Sequence, residues 1–356
     1  MAPIAALGVA TAPGCLPEVP PDWLLEAPRL LLIEQEVIAT GELSTPLTDD
    51  PPGRRRREGL PGDRVRLRPI FFDADGPFSP EVIVLLSTTV RDGFVGDTPI
   101  PPCEGGAAGV GPLCRLADLD LVLPPLPPAD AVGVRSFVRV IASEPGGVSA
   151  ETCLQRARAG EVRYGCLYAS FLPRYGPLDR VETLQGEDVD VPPDPPDLDV
   201  PSARLELEIV GADGPRSVVA HHGDTVLVTV GERARATLGI DRDELQTYSI
   251  PAVDAPIEQT EVPRAIWWST ARALDLDTTV TIRGPAVALA IPDEPAIFDL
   301  TLWVEERSGS AQWLWVRFDV RERGGAAVRR RGGTAVRRRR ARLARPPRSS
   351  SATPRR

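Results

Sequence analysis

The most specific chemistry in this chain of 356 residues belongs to its five cysteines, Cys15, Cys103, Cys114, Cys153 and Cys166. The last four lie in the interior at short separations, and none falls in a Cys-x-x-Cys pair of the kind that grips zinc or exchanges dithiols. Such spacing suits two disulfides formed in an oxidising compartment. Of the three connectivities, the local one is preferred, Cys103 with Cys114 and Cys153 with Cys166. Closing loops this short contributes roughly 2–3 kcal/mol each on the chain-entropy account. Four reduced, buried thiols in a reducing compartment are the alternative.

Cys15 stands apart. It follows a short apolar stretch, residues 4–11, and precedes a proline-rich segment. Ala12-Pro-Gly-Cys15 resembles the lipobox of bacterial lipoproteins, where the thiol is acylated and cleavage leaves the cysteine as the new N-terminus. The match departs at Ala12, where Leu is usual, at Pro13, and in the missing basic front end. The expectation is a lipidated Cys15 and a cell-envelope address, as an outer-membrane lipoprotein. Plain secretion and a cytosolic surface thiol are the alternatives. No other apolar run approaches the ~18 residues that a membrane span needs, so membrane attachment falls to lipid.

The remaining inventory argues against catalysis. The only two histidines are the adjacent His221 and His222. On a strand they point to opposite faces and cannot share a metal. The chain has no lysine, hence no Schiff base and no phosphate-loop lysine, and no Gly-x-Ser-x-Gly elbow. The glycines between Cys103 and Cys114 lack a strand–loop–helix frame and read as a disulfide-closed surface loop. Asp73-Ala-Asp75-Gly76 lacks the further acids of a calcium loop and reads as a turn whose glycine supplies positive φ. A carboxylate pair for glycoside hydrolysis cannot be picked out of 50 acidic residues. Neither cofactor nor metal is expected.

Two groups of residues could bind rather than react. Trp303, Trp313 and Trp315 lie on the face of a terminal hairpin opposite its aliphatic stripe; they either stack on sugars or pack against an edge or neighbouring domain, and packing is favoured. Arg54–Arg57, in a run of turn-forming residues, read as a solvated loop in preference to an anion-binding patch.

Charge is divided unevenly along the chain. The net charge is −9, yet residues 321–356 hold fourteen arginines and one acid, leaving a strongly acidic body. That body disfavours nucleic acid as partner of the folded part, because each phosphate contact needs a cation. The Arg-rich tail, 323–356, is too charged and too rich in Pro and Ser to fold alone. It could adhere to anionic polymer, fold back on the acidic body, or be an extension without function.

These residues must be positioned by strands. Proline accounts for 39 residues, about twice the usual share, which disfavours long helices and makes an all-β fold the expectation. Residues 16–28 read as a tether. Strands are expected over 29–38, 63–71, 81–86 and 134–143, and one short helix over 149–159, capped by Ser149 and ended by Gly160. Residues 29–185 form the first, disulfide-containing β-sandwich domain. A stiff, self-repelling acidic Pro-rich linker, 186–201, follows, so that the two domains behave independently. The second domain, 202–322, shows strand spacing at 204–210, 225–230, 265–270, 278–283, 286–291, 297–306 and 311–320, with Trp267 or Trp268 as a core residue. So many short strands over this length describe an immunoglobulin-like sandwich.

Several segments resemble predicted lipoproteins and secreted proteins of myxobacteria and related bacteria. They are the proline-rich stretch after Cys15, APRLLLIE, LPGDRVRLRPIFFDADG (residues 60–76), SAETCL, GCLYASFLPRYGPLDRV (165–181) and the hairpin TLWVEERSGSAQWLW. The resemblance spans most of residues 15–320. It implies an envelope location and β-sandwich modules, and it carries over no catalytic residues. Arg54–Arg57 and the tail depart from it. The function expected is that of a non-catalytic envelope lipoprotein, a binding or scaffolding module for a glycan or an envelope protein. A secreted enzyme, or enzyme accessory, with unlocated carboxylate chemistry is the alternative.

Overall fold

The computed structural model describes residues 24–87, 99–103, 113–126, 136–161, 164–186, 194–250, 256–274, 283–305 and 311–323. Cys15, the loop closed by Cys103 and Cys114, most of the strand expected at 278–283, the turn of the terminal hairpin and the Arg-rich tail lie outside them.

The chain is mostly β-sheet. In its first half, β1 (Arg29–Ala39), β2 (Arg64–Asp73) and β3 (Gly76–Phe78) form one antiparallel sheet. A second sheet contains β4 (Val82–Ser87), β5 (Cys114–Arg115), β7 (Phe137–Ser143) and β8 (Cys166–Phe171), in the order β5-β4-β7-β8, while β6 (Asp120–Val122) pairs with β2. The alternation of Val65 and Leu67 with Arg64, Arg66 and Arg68 puts the apolar set inward, where it meets Val84, Leu86, Val138 and Val140 of the second sheet.

The other face of that second sheet is also covered. Helix α1 (Ala150–Ala159) lays Cys153 and Leu154 on Ile83, Leu85 and Ile141. The Ser149 hydroxyl accepts the Thr152 N–H at 3.2 Å, and Gly160 ends the helix at φ +69°. The two disulfides lie on opposite faces of this sheet, Cys153–Cys166 on the helix side and Cys103–Cys114 against the core between the sheets. Cys103–Cys114 ties the segment before β5 to that strand, and Cys153–Cys166 ties α1 to the start of β8.

The expectation of a single helix in this half is corrected by α2 (Leu178–Leu184). Pro177, at its N-cap, pre-sets the entry, but seven residues are too few for a periodic pattern to show in the sequence.

The second half is a β-sandwich. Strands β9 (Arg204–Gly211), β10 (Gly214–Ala220), β12 (Arg233–Gly239) and β17 (Ala286–Ala290) form a sheet in the order β10-β9-β12-β17. Opposite lies the sheet β11-β19-β18-β15-β16, built from β11 (Thr225–Thr229), β15 (Arg264–Ser269), β16 (Arg283–Gly284), β18 (Ala296–Glu305) and β19 (Ala311–Arg321). A separate hairpin pairs β13 (Thr247–Ile250) with β14 (Ile257–Thr260). Leu205, Leu207 and Ile209 meet Leu300, Leu302, Leu314 and Val316 around the fully buried Trp267, and Phe298 stacks on Phe318 at 4.8 Å. Strands β10, β12, β13 and β14 were not legible. β10 and β12 carry Pro, Arg, Ser and Gly among few large apolar residues, and the described residues of β14 are all exposed.

Up to Glu322 the described residues belong to one compact unit. Leu24 and Leu25, expected in a free tether, are buried, and the Leu25 N–H donates to the Ser269 carbonyl at 2.8 Å. The end of the expected spacer is docked as well: Leu198, Asp199 and Val200 are buried.

Candidate functional site

The groups singled out for binding converge on the junction between the lobes, where two contacts of different chemistry form. One is aromatic. On β18 and β19 the strand period turns Trp303, Trp313 and Trp315 away from the sandwich core, and Trp303 and Trp313 are cross-strand partners. The first lobe supplies a matching face because β2 changes character after Pro69. Its alternation gives way to Ile70, Phe71 and Phe72, apolar on both faces. Phe71 enters the first lobe's core, whereas Ile70 and Phe72 join Leu25, Leu32 and Trp313 in a separate cluster between the lobes. Phe72 meets Trp313 and Trp315 edge-on, at 6.4 and 6.5 Å between ring centroids. Trp313 is only 9% exposed.

Polar groups rim this seam. Strand β11 does not reach Trp313, and the Glu34 carboxylate accepts the open Trp313 N–H at 2.9 Å. Arg68 lies 3.5 Å from Glu34, with its guanidinium 5.9 Å from the Trp313 ring centre. The His222 ring stands edge-on to Trp313 at 4.6 Å. Partial burial, followed by the positive charge of Arg68, pulls the His222 pKa down, against the opposing pull of Glu34. Lower on the same face, Arg317 makes a two-pronged pair with Asp299, both bonds at 2.9 Å, and donates to the Asp75 carbonyl at 3.1 Å. The Asp73–Gly76 turn forms as expected, with Gly76 at φ +116°. It also presses on the other lobe, since a Cβ at Gly76 would sit 2.6 Å from an Asp299 carboxylate oxygen.

The second contact is ionic. The solvated-loop reading of Arg54–Arg57 fails at Arg56 and Arg57, which are 3% and 1% exposed, while Arg54 is half-buried and Arg55 exposed. The segment runs beside residues 197–199, with the Arg57 N–H donating to the Asp197 carbonyl and the Asp199 N–H to the Arg55 carbonyl, each at 2.9 Å. The fully buried Asp199 carboxylate accepts the Arg55 N–H and Nε at 2.8 Å, and Arg57 Nη2 at 3.5 Å. Burial pulls the Arg55 pKa down, but Asp199 outweighs it and the net shift is upward. Arg56 turns the other way, onto Asp50 at 2.6 Å and the Thr45 carbonyl at 3.0 Å. The run therefore binds anions, and the anions are the chain's own. Its carboxylate partners are Asp50 and Asp199; Glu36 lies 3.7 Å from Arg55.

From the second lobe, Gln246 holds this docked segment at the Leu198 N–H (2.8 Å) and the Pro196 carbonyl (2.9 Å), and Gln312 accepts the Val200 N–H at 3.1 Å. Residues 194–201 of the expected linker are thus a docked strap, and 187–193 lie outside the described residues.

Sequence reasoning brought the three tryptophans to one face and paired the four cysteines. It missed Glu34, Arg68, His222 and Asp199 as members of the junction. One signal was present: Leu30–Ile33 and Ile70–Phe72 are unbroken apolar runs, the mark of strands covered on both sides. Nothing in the sequence marked Asp199 among the many acids. His221 and His222 sit in the turn before β11 rather than on a strand, and no group of three or more His, Cys, Asp or Glu placed to hold a metal occurs among the described residues. No described helix is long and apolar enough to cross a membrane. Comparison with protein-family models, with curated proteins and with solved structures finds no match.

Proposed function

We propose that this chain is a non-catalytic binding or scaffolding module of the cell envelope, made of two immunoglobulin-like lobes and held at a membrane through an acylated Cys15. The observation that carries the reading is the pair of disulfides, Cys103–Cys114 and Cys153–Cys166. Such bonds persist in compartments outside the reducing cytoplasm. The packing of the lobes against each other adds a second support, because a scaffold must hold its surfaces at a fixed spacing.

A protein ligand fits better than a glycan. Sugar platforms present open indole faces, whereas Trp313 is buried and Trp303 and Trp315 are half-buried against the first lobe. The test is intact-mass spectrometry of the chain extracted from the membranes of its native host, with and without reduction. The reading expects a mass beginning at Cys15 with acyl chains added and four further thiols oxidised. A cytosolic chain with five free thiols sinks it. Cross-linking in whole cells then separates protein from glycan ligands.

A further inference from the structure

The seam occupies one outer face of the second lobe. The opposite outer face, on the sheet β10-β9-β12-β17, is open, and the register defines its pattern. Across the middle row run Ser217, Glu208, Arg235 and Ala288, one from each strand in sheet order, all exposed. Flanking rows put Pro215 and Val219 on the β10 edge and Ala290 and Ala286 on the β17 edge. Val210 and Val219 are each 54% exposed. Opposite charges also stand side by side here. Glu206 and Glu208 line β9, Arg233 and Arg235 line β12, and Glu208 lies directly across from Arg235. Glu208, Arg233 and Arg235 are in no ion pair among the described residues. On a strongly acidic body this face carries both signs: Arg233 and Arg235 on β12, and Glu206 and Glu208 on β9, where Glu206 is already paired with Arg204 at 3.1 Å.

We propose that this face binds a second copy of the same chain, sheet against sheet, about a two-fold axis that runs along the strands between β9 and β12. Rotation about that axis sets β9 over the partner's β12 and β10 over the partner's β17. Each Glu208 then faces the other copy's Arg235, giving two reciprocal pairs at the centre. Val219 meets Ala286 and Pro215 meets Ala290 of the other copy, so the larger apolar side chains of one edge lie on the small ones of the opposite edge. Sheets packed face to face stand about 10 Å apart, a gap that Glu and Arg reaching toward each other can bridge. The alternative axis, across the strands, would stack acid on acid and is disfavoured.

Size sets the strength of this contact. Four strands at about 4.8 Å spacing and about seven residues long cover about 450 Å² per copy, below the ~800 Å² of a standard interface. The dimer is therefore weak and reversible, with a dissociation constant on the order of 100 μM. The inference does not depend on the envelope reading or on its ligand.

Sedimentation velocity of the full chain across a concentration series tests it. Wild type is expected to shift from monomer to dimer. Glu208→Arg and Arg235→Glu should each weaken the dimer at least about tenfold, and the double reversal should restore it to within about threefold. Both sites are on the exposed face, and unchanged thermal melts certify the fold. Val219→Asp, which touches neither charge, should also weaken the dimer and serves if a reversal variant misfolds. Wild type that stays monomeric to about 1 mM, ten times the expected constant, overturns the proposal. So do single reversals that dimerise as wild type does, or a double reversal that stays monomeric.

Discussion

The two contacts that hold the lobes together, the tryptophan seam and the arginine clamp, reach the same end by opposite physics. The seam buries Trp313, Phe72, Ile70 and Leu32; such burial contributes in proportion to area and tolerates imprecise geometry. The clamp buries Arg57 and Asp199, whose desolvation costs several kcal/mol each unless their hydrogen bonds are complete. Apolar contact supplies the driving force, and the clamp supplies register, fixing which residues of the strap lie beside Arg55 and Arg57. The difference implies that the clamp, the weaker net contributor, is the more damaging to break.

That contrast orders the predictions. Asp199→Ala strands Arg57 in the interior without its carboxylate and should destabilise the protein by about 3–5 kcal/mol in urea unfolding; Asp199→Asn, which keeps the acceptor oxygen, should cost less. An effect under about 1 kcal/mol for the alanine variant would show that the clamp is solvated after all. Trp313→Ala removes the largest ring of the seam and should cost about 3 kcal/mol. Combined with Asp199→Ala, its effect should add rather than couple, since the two sites belong to separate contacts with different partners.

Gly76→Ala sharpens the comparison on the seam's rim. A Cβ there meets both an unfavourable φ and the Asp299 carboxylate, and about 1–3 kcal/mol should be lost. The smallest effect belongs to His222. Its folded pKa lies below the ordinary value of about 6.5, so the unfolded chain binds the proton more readily. Stability is therefore fully present above the unfolded value and declines as pH falls from there through the folded value. Because the ring is partly open to solvent the slope should be shallow, and His222→Gln should flatten it in melts taken between pH 7.5 and 5.

How much could be read beforehand follows from the range of each interaction. Alternation at period two located β2, β9, β18 and β19 and turned the three tryptophans outward, because that signal lies within a few residues of one strand. Ser149 and Gly160 placed α1 for the same reason. The clamp was misread because four arginines between turn residues look the same in sequence whether water or a carboxylate more than a hundred positions away satisfies them. Likewise 194–201 has the composition of an extended spacer, and only its partners turn it into a strap.

By itself, then, the amino-acid order determined the alternating strands and the faces they turn, helix α1 with its caps and the local pairing of the cysteines, all matters of short separation along the chain. The tertiary structure alone decided that the tryptophans are spent between the lobes, that Arg55 and Arg57 close on Asp199, and that one sheet face of the second lobe remains open. Those outcomes depend on which distant surfaces exclude water from each other, and burial is a property of the assembled molecule that no local pattern encodes.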